Sequence, residues 1–357
     1  MWPATDGARG SASDSVSASV SVSASVSVSA SASVSVSVSV SVSVSVSVSV
    51  SASASASVSA SASRGGRGGV AVPGSGPYNS ASVILAFYKY EGLGNDFLIV
   101  EKDALGGAQL TGEQAMALCD RHRGVGADGV ITVEVDDPSM HVINSDGSVP
   151  EMCGNGIRCA ALHLARRAGH SALDVTIETP AGPHRCVVVN RPGAESVAVQ
   201  MAPPSLSPAD LPLSSDVPWL DHALTVAGRT IELTGVSMGN PHAVIFEEVG
   251  DARFEIGPAI QNDPHFPEGI NVGFVSEQSG TSMRLDVLER GAGWTQACGT
   301  GACAAAVAAV ETGRAQREER LSIRLPGGIL TITVGAPGDT VLMQGPARFV
   351  FQGQVAL

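Results

Sequence analysis

The sequence predicts an α+β fold of two pseudo-symmetric domains, each a curled mixed or antiparallel sheet around one central helix. Three observations lead there. Residues 296–309 set Cys298 before a Gly-x-Gly turn and then run into about two turns of nearly pure Ala and Val. A helix apolar on every face belongs in the middle of a domain rather than on its surface. The arrangement occurs once before: Cys153-Gly154-Asn155-Gly156 leads into a helix-like run from Ile157 to Arg167, and an offset of 145 residues carries Cys153 onto Cys298, Ala160 onto Ala305 and Gly94-Asn95 onto Gly239-Asn240. The rest of the ordered chain reads as many short strands and few helices, which suits sheets curled around a helix and not a doubly wound sheet.

In the first half, strands over 85–90 and 97–101 flank the loop from Glu91 to Asp96. Thr111 and Gln114 have the spacing of a capping box for a helix ending near His122. The Gly-rich turn 124–129 precedes a strand over 130–135; lacking a Walker lysine and a third fingerprint glycine, it is weak as a phosphate site. A strand over 140–144 turns at Ser145-Asp146-Gly147 towards Cys153, and Gly169 is a natural C-cap for the first central helix. Strands over 175–179, 185–190 and 196–201 complete this half. The Pro-rich segment 203–218 marks the boundary, dividing the folded chain into 84–205 and 206–357. The second half repeats the mixture, with strands over 230–236 and 243–249 around the loop 237–242, then 271–275 and 283–288. The loop 289–293 leads to the second central helix, and strands over 321–325, 329–334 and 341–344 follow.

Residues 1–83 stand apart. From 11 to 63 serine alternates with valine or alanine, a period-2 pattern without turn residues or aromatics, and 64–77 is rich in Gly, Arg and Pro. The physical reading is a disordered low-complexity leader and linker, with ordered protein from about Ile84. The tract has no continuous apolar stretch for a secretory signal or a bilayer span. Its Ser-rich, acid-poor character resembles a transit peptide, which makes a plastid the alternative to the cytoplasm. Without Arg9, Arg64, Arg67, Asp6 and Asp14, the remaining chain holds 18 Lys+Arg against 32 Asp+Glu, net −14. Such a balance argues against nucleic acid or an anionic membrane as partner and leaves a small molecule. Six cysteines without a CxxC pair, and no secretory signal, make reduced thiols the default and a metal site unexpected.

A cysteine at a helix N-terminus meets unpaired N–H groups and the positive end of the dipole, which favour a thiolate or a bound carboxylate. Two such thiols across a cleft suit removal of a proton from one face of a carbon and its return from the other, that is, racemisation or epimerisation. An α-proton is far less acidic than a thiol, so aimed dipoles in a dry cavity must stabilise the carbanion. The pyridoxal route requires a cofactor lysine. Lys89 and Lys102 are the only lysines, and neither lies beside a phosphate-cradling loop.

Seven stretches then carry a specific resemblance. Gly92-Leu93-Gly94-Asn95-Asp96-Phe97, Asn144-Ser145-Asp146-Gly147-Ser148, Glu151-Met152-Cys153-Gly154-Asn155-Gly156 and Ser237-Met238-Gly239-Asn240-Pro241-His242 resemble diaminopimelate epimerases. Ile270-Asn271-Val272-Gly273-Phe274, Glu289-Arg290-Gly291-Ala292-Gly293 and Ala297-Cys298-Gly299-Thr300-Gly301 continue the match in order. The resemblance covers roughly 85–357. It implies interconversion of LL- and meso-diaminopimelate without cofactor, in lysine biosynthesis, and leaves a homodimer open. By it, Cys153 and Cys298 are the acid/base thiols, with His242 and Glu289 beside the reacting centre. Gly154, Asn155, Gly299 and Thr300 would hold the reacting carboxylate. Asn95, Asn144, Asn240, Asn271, Glu289 and Arg290 would recognise the amino groups and the distal carboxylate, for which the fork of Arg290 is suited. Trp294 departs from the family, which often has Glu there.

Each reading has a plainer competitor. Cys119, Cys159, Cys186 and Cys303 read as small core residues, His163 and His170 as surface residues, and Asn95 and Asn240 also fit as turn residues. The alternative enzyme is another cofactor-independent racemase of the same shape, of proline or hydroxyproline type, whose pocket should be apolar where Arg290 stands. The non-enzyme alternative is a thiol redox or binding protein using Cys153 and Cys298 as a reversible pair.

Overall fold

Both central helices form where the Cys-Gly-x-Gly turns put them. A computed structural model describes residues 84–150 and 152–357, and the leader and linker expected over 1–83 lie outside the described residues. In the first half the strands β1 (Ile84–Gly92) and β2 (Asn95–Glu101) are followed by helix α1 (Gly112–Cys119), then β3 (Gly129–Glu134) and β4 (Ser139–Asn144). The central helix α2 (Gly154–Arg167) precedes β5 (Ala172–Thr179), β6 (Gly182–Val189) and β7 (Ser196–Gln200). The second half opens with β8 (His222–Val226), β9 (Arg229–Ser237), β10 (Pro241–Ile245) and helix α3 (Arg253–Gln261), then β11 (Asn271–Ser279), β12 (Ser282–Glu289) and the two-residue β13 (Gly293–Trp294). The central helix α4 (Gly299–Glu311) leads to β14 (Arg320–Leu325), β15 (Gly328–Val334), β16 (Val341–Gly345) and β17 (Arg348–Ala356).

The repeat seen in the cysteine turns extends to the pairing of strands. From β1 through β7, successive neighbours pair antiparallel, parallel, antiparallel, parallel, antiparallel, antiparallel. From β9 through β16, leaving out β13, the senses come in the same order. The offset of 145 carries β7 onto β16 residue for residue, and these two strands pair antiparallel with each other, joining the sheets. The last strand returns to the first half: β17 pairs with β1, Ile84 opposite Ala356. α2 packs against all seven strands of the first half, and α4 against β9, β10, β11, β12, β14, β15 and β16. Ala302 to Ala309 of α4 are wholly buried, so the small side chains let the surrounding strands come close on every side.

Expectation and structure differ at element ends. α2 begins at Gly154, not Ile157, because Cys153 itself is the N-cap, its Sγ accepting the Gly156 N–H. α1 carries the expected capping box of Thr111 and Gln114 but stops at Cys119, as the Asp120 carboxylate takes the N–H groups of His122 and Arg123 in a local turn. The strand expected over 243–249 ends at Ile245.

His163, expected at the surface, is 1 % exposed. It lies on α2 between Tyr90 and Glu101: the Tyr90 hydroxyl faces Nδ1 at 3.3 Å, and Nε2 lies 3.0 Å from the Glu101 carboxylate, which also pairs with Arg167 at 2.6 Å. A neutral ring that accepts from Tyr90 and donates to Glu101 satisfies every member. Burial pushes the imidazole down to about 4, against the pull of Glu101. The unfolded chain therefore binds this proton near its ordinary value of about 6.5, and the folded chain only near 4. Stability from this site is complete above pH 6.5 and is lost as pH falls towards 4, by on the order of 3 kcal/mol. Chemical denaturation of His163→Gln should show lower stability than wild type at pH 7 but a shallower fall across that window. Parallel wild-type and variant curves would remove His163 from the account.

Candidate active site

The two cysteines are the N-caps of the two central helices. Both have the extended backbone that a cap requires, φ −133° and ψ 106° at Cys153, φ −115° and ψ 107° at Cys298. Each sulfur accepts a backbone N–H three residues on, Gly156 to Cys153 and Gly301 to Cys298, both at 3.3 Å. The two helix ends abut. A Cβ on Gly154 would lie 3.6 Å from Gly299 Cα, and one on Gly299 would lie 3.5 Å from Gly154 Cα and 3.0 Å from Met343 Sδ. The two glycines thus pack close together, and a side chain at either would press on the flexible end of Met343. Asn155 crosses the junction, its Nδ2 donating to the Ala297 carbonyl at 2.9 Å, one residue before Cys298.

A chain of donors ends at the second sulfur. His242, 1 % exposed, is pushed down to about 3 by burial, with the Arg290 charge adding to the effect, and so stays neutral. Its Nε2–H donates to Asn240 Oδ1 at 3.1 Å, and Asn240 Nδ2 donates to Thr300 Oγ1 at 3.3 Å. Thr300, having accepted there, has its own hydrogen for Cys298 Sγ at 3.6 Å. Asn271 ties the neighbouring loop: Nδ2 donates to the Pro241 carbonyl at 2.8 Å, and Oδ1 accepts the Arg290 backbone N–H at 2.8 Å. The Glu289 carboxylate accepts from the Thr295 hydroxyl. Arg290 points Nη1 at the carbonyls of Glu268 (2.9 Å) and Gly269 (3.5 Å).

Burial pushes both thiols up. At Cys153 the Gly156 N–H and the Arg158 charge oppose the rise. Cys298 is pushed well above the ordinary value, with the Glu289 carboxylate adding to burial.

Of the residues the sequence singled out, Cys153, Gly154, Asn155, Asn240, His242, Gly299, Thr300 and Cys298 form one connected group, with Asn271, Glu289 and Arg290 beside it. Asn95 arrives by loop packing: Gly94 faces Gln296, and a Cβ on Gly327 would fall 1.9 Å from the Leu93 carbonyl oxygen. Gly327 also donates its N–H to the Gln296 carbonyl at 2.8 Å. Asn144 closes β4, and its Nδ2 donates to Ser148 Oγ at 3.0 Å; it has no hydrogen bond to either cysteine among the described residues. Trp294 packs against Phe254 and Phe274, ring centroids 5.2 and 5.9 Å away. Two surface clefts, about 340 and 240 Å³, lie among residues 181–203 with Thr340 and among residues 247–286; Phe274 lines the second, and neither holds any of the expected site residues.

Sequence reasoning missed Arg158, which is wholly buried in the first turns of α2. Its Nη1 donates to the Gly154 carbonyl (2.9 Å), Nη2 to Asn155 Oδ1 (2.8 Å) and Nε to the Pro346 carbonyl (3.2 Å). The available signal was one charged residue inside the otherwise small and apolar run 156–162.

Two repeated sheets, each threaded by a central helix with a cysteine at its N-cap, define an epimerase-like fold. The fold agrees with solved structures of a hydroxyproline epimerase from Agrobacterium vitis, at a TM-score of 0.56 and 17 % identity over 77 % of this chain and 93 % of that one, and of a Bacillus anthracis protein of the PhzF phenazine biosynthesis family, at 0.55 and 16 % over 77 % and 99 %. The chain belongs to the diaminopimelate epimerase family, whose model matches residues 87–207 and 234–350. Relatives named diaminopimelate epimerase include those of Microcystis aeruginosa, 43 % identical over 75 % of this chain and 98 % of the relative, and of Synechocystis, 44 % identical over 76 % and 99 %.

Gly327 offers a test of how the two halves share the site. Any Cβ there meets backbone atoms of Leu93 and Gln296, which no side-chain rotation relieves. Gly327→Ala should cost about 2–3 kcal/mol in denaturant unfolding and lower turnover more than tenfold even where the protein remains folded. Unchanged activity would show that the Asn95 loop is not held by this contact.

Proposed function

We propose that the chain interconverts LL- and meso-2,6-diaminopimelate by a two-thiol proton exchange at the α-carbon, without a cofactor, in lysine biosynthesis. The observation that carries this reading is the meeting of two cysteine-capped helix N-termini, one from each repeat. One thiolate takes the α-proton from one face while the opposite thiol delivers its proton to the other, so each turnover leaves the two sulfurs with exchanged protonation states. The free N–H groups of the first turns, at Gly154, Asn155, Gly299 and Thr300, suit the carboxylate on the reacting carbon, and both dipoles favour the negative charge that develops there. A substrate with a second amino-acid end needs a second polar site, which Asn95, Asn144, Asn240, Asn271, Glu289 and Arg290 supply. The names of the relatives support the same substrate. The net charge of −14 over the folded residues fits a small-molecule partner in the cytoplasm better than nucleic acid or a membrane surface.

Incubation with LL-diaminopimelate in deuterated water should place deuterium at the α-carbon of the product. Cys153→Ala and Cys298→Ala should each abolish epimerisation, since a two-base exchange needs a group on both faces. Normal turnover by either variant, or efficient racemisation of proline with diaminopimelate untouched, would overturn the reading.

The pH dependence has a definite sign. Burial raises both thiols, so the thiolate base is scarce at neutral pH. kcat/KM should climb above pH 6, by at most about tenfold per pH unit, until the first thiol is ionised. A rate that falls over pH 6–8 would be incompatible with a thiolate base. Arg290→Lys, which keeps the charge without the planar fork, should lower kcat/KM for diaminopimelate by about ten- to a hundredfold. Equal efficiency in the variant would free the distal carboxylate from Arg290.

A further inference from the structure

The two halves are not electrostatically equal. The offset that carries Cys153 onto Cys298 also carries Arg158 onto Cys303, and Asn144 onto Glu289. The repeat has therefore diverged at two places close to the thiols: a cation stands only in the first half, an anion only in the second.

Arg158 is a guanidinium without a carboxylate. Its acceptors are the carbonyls of Gly154 and Pro346, the side-chain oxygen of Asn155, and Met343 Sδ at 3.9 Å. All are neutral, and no ion pair involves it among the described residues. It is boxed in by backbone: a Cβ on Gly92 would come within 3.3 Å of Nη2, and one on Gly345 within 3.3 Å of Nε. Burial lowers the guanidinium from its ordinary value, but an arginine starts so far above neutral pH that it keeps its charge even there, and a buried charge calls for a counter-charge. Its hydrogen bond to Asn155 Oδ1 also fixes that amide, turning Nδ2 across the junction to Ala297.

We propose that Arg158 is a positioning residue that makes the two thiols unequal: its guanidinium locks Asn155 across to the Cys298 turn and, when one thiol of the pair ionises, holds that negative charge on Cys153, while Glu289 keeps Cys298 protonated. This rests on the reading of Cys153 and Cys298 as the proton-exchanging pair. In the free enzyme Cys153 is then the base and Cys298 the acid.

The other groups around the sulfurs do not reverse the order. Arg158 donates to the carbonyl of Gly154, the residue after Cys153, and its charge favours the Cys153 thiolate, with Glu289 acting more weakly against it. The Glu289 charge disfavours a Cys298 thiolate, opposed by the Thr300 hydroxyl and the Gly301 N–H at that sulfur. Those donors are neutral, and the Thr300 contact is long at 3.6 Å, so a full negative charge outweighs them. His242 on β10 stays neutral, and burial keeps Cys159 and Cys303 as thiols, the latter pushed up to about 12.

The test is site-resolved alkylation of the reduced full-length protein by iodoacetamide, followed by mass spectrometry from about pH 6 to about pH 11, a cysteine whose rate still rises at the upper limit being counted as having its midpoint above it. The pH midpoint at each cysteine is the readout, because it does not depend on how readily the reagent reaches each sulfur. In wild type the Cys153 midpoint should lie below that of Cys298 by about one pH unit or more. Arg158→Gln should raise the Cys153 midpoint and narrow the gap to less than about half a unit, while Arg158→Lys should keep the order but lower kcat through loss of the fork to Asn155. A wild-type midpoint at Cys298 equal to or below that at Cys153 overturns the proposal, whether or not the variants fold. So does an unchanged gap in a folded Arg158→Gln. Turnover by Cys153→Ala or Cys298→Ala would instead remove the two-thiol reading itself, so the two failures are distinct.

Discussion

The close approach of Gly154 to Gly299 is the contact on which the site depends. Two helix N-termini directed at one another bring two positive dipole ends together, and Arg158 adds a full positive charge behind one of them. Without an anion such a junction is unfavourable; with a thiolate or a substrate carboxylate between the ends it becomes a binding site. Packing keeps the ends together despite this repulsion. Met343 reaches both glycines, Asn155 spans to Ala297, and Arg158 fastens Asn155 to the Pro346 loop. The fold thus stores unmet positive potential at the place where the proposed reaction generates negative charge, which is electrostatic preorganisation in its simplest form.

The halves could not drift apart without breaking sheet. β7 and β16, equivalent strands of the repeat, pair with each other, and the chain ends by adding β17 to the sheet of the first half. Each half is therefore completed or flanked by strands of the other. This continuity explains how an interhalf junction only one glycine thick is kept in register: the helices are threaded through sheets that are hydrogen-bonded together. It also places the Asn95 loop of the first half against Gln296 and Gly327 of the second, so residues more than 200 positions apart in the chain reach a common region.

Much of this was legible because repetition is a property of sequence. The cysteine caps, the offset of 145 residues and the apolar helix 302–309 gave the central elements and the site at once. Weakly patterned elements were not legible. α3 contains Pro258 and has no capping side chain, so neither period nor punctuation announced it. β17 is a mostly exposed strand paired on one edge, and its alternation carries little apolar contrast. His163 and Arg158 failed for a different reason. A polar residue on an amphipathic helix is ordinarily solvated, but α2 packs against eight strands, β1 to β7 and β17, and is buried from Gly154 to Ala165. Polar residues there are buried with dedicated partners, Tyr90 and Glu101 for one, Asn155 and two carbonyls for the other. Knowing that the helix was central should have marked every polar side chain on it as structural or functional.

An internal repeat supplies two equivalent thiols, yet proton exchange across a carbon begins with one base and one acid. Strict symmetry would leave the free enzyme divided between two equivalent singly ionised forms, each suited to only one substrate epimer. Divergence at positions other than the two cysteine caps and the abutting glycines can break that degeneracy while leaving both helix ends in place. Arg158 opposite Cys303, and Glu289 opposite Asn144, are divergences of this kind, and both act in the same direction on the pair. On the proposed two-thiol exchange, the geometry of catalysis is thus inherited from the repeat, whereas the assignment of acid and base comes from the places where the copies differ.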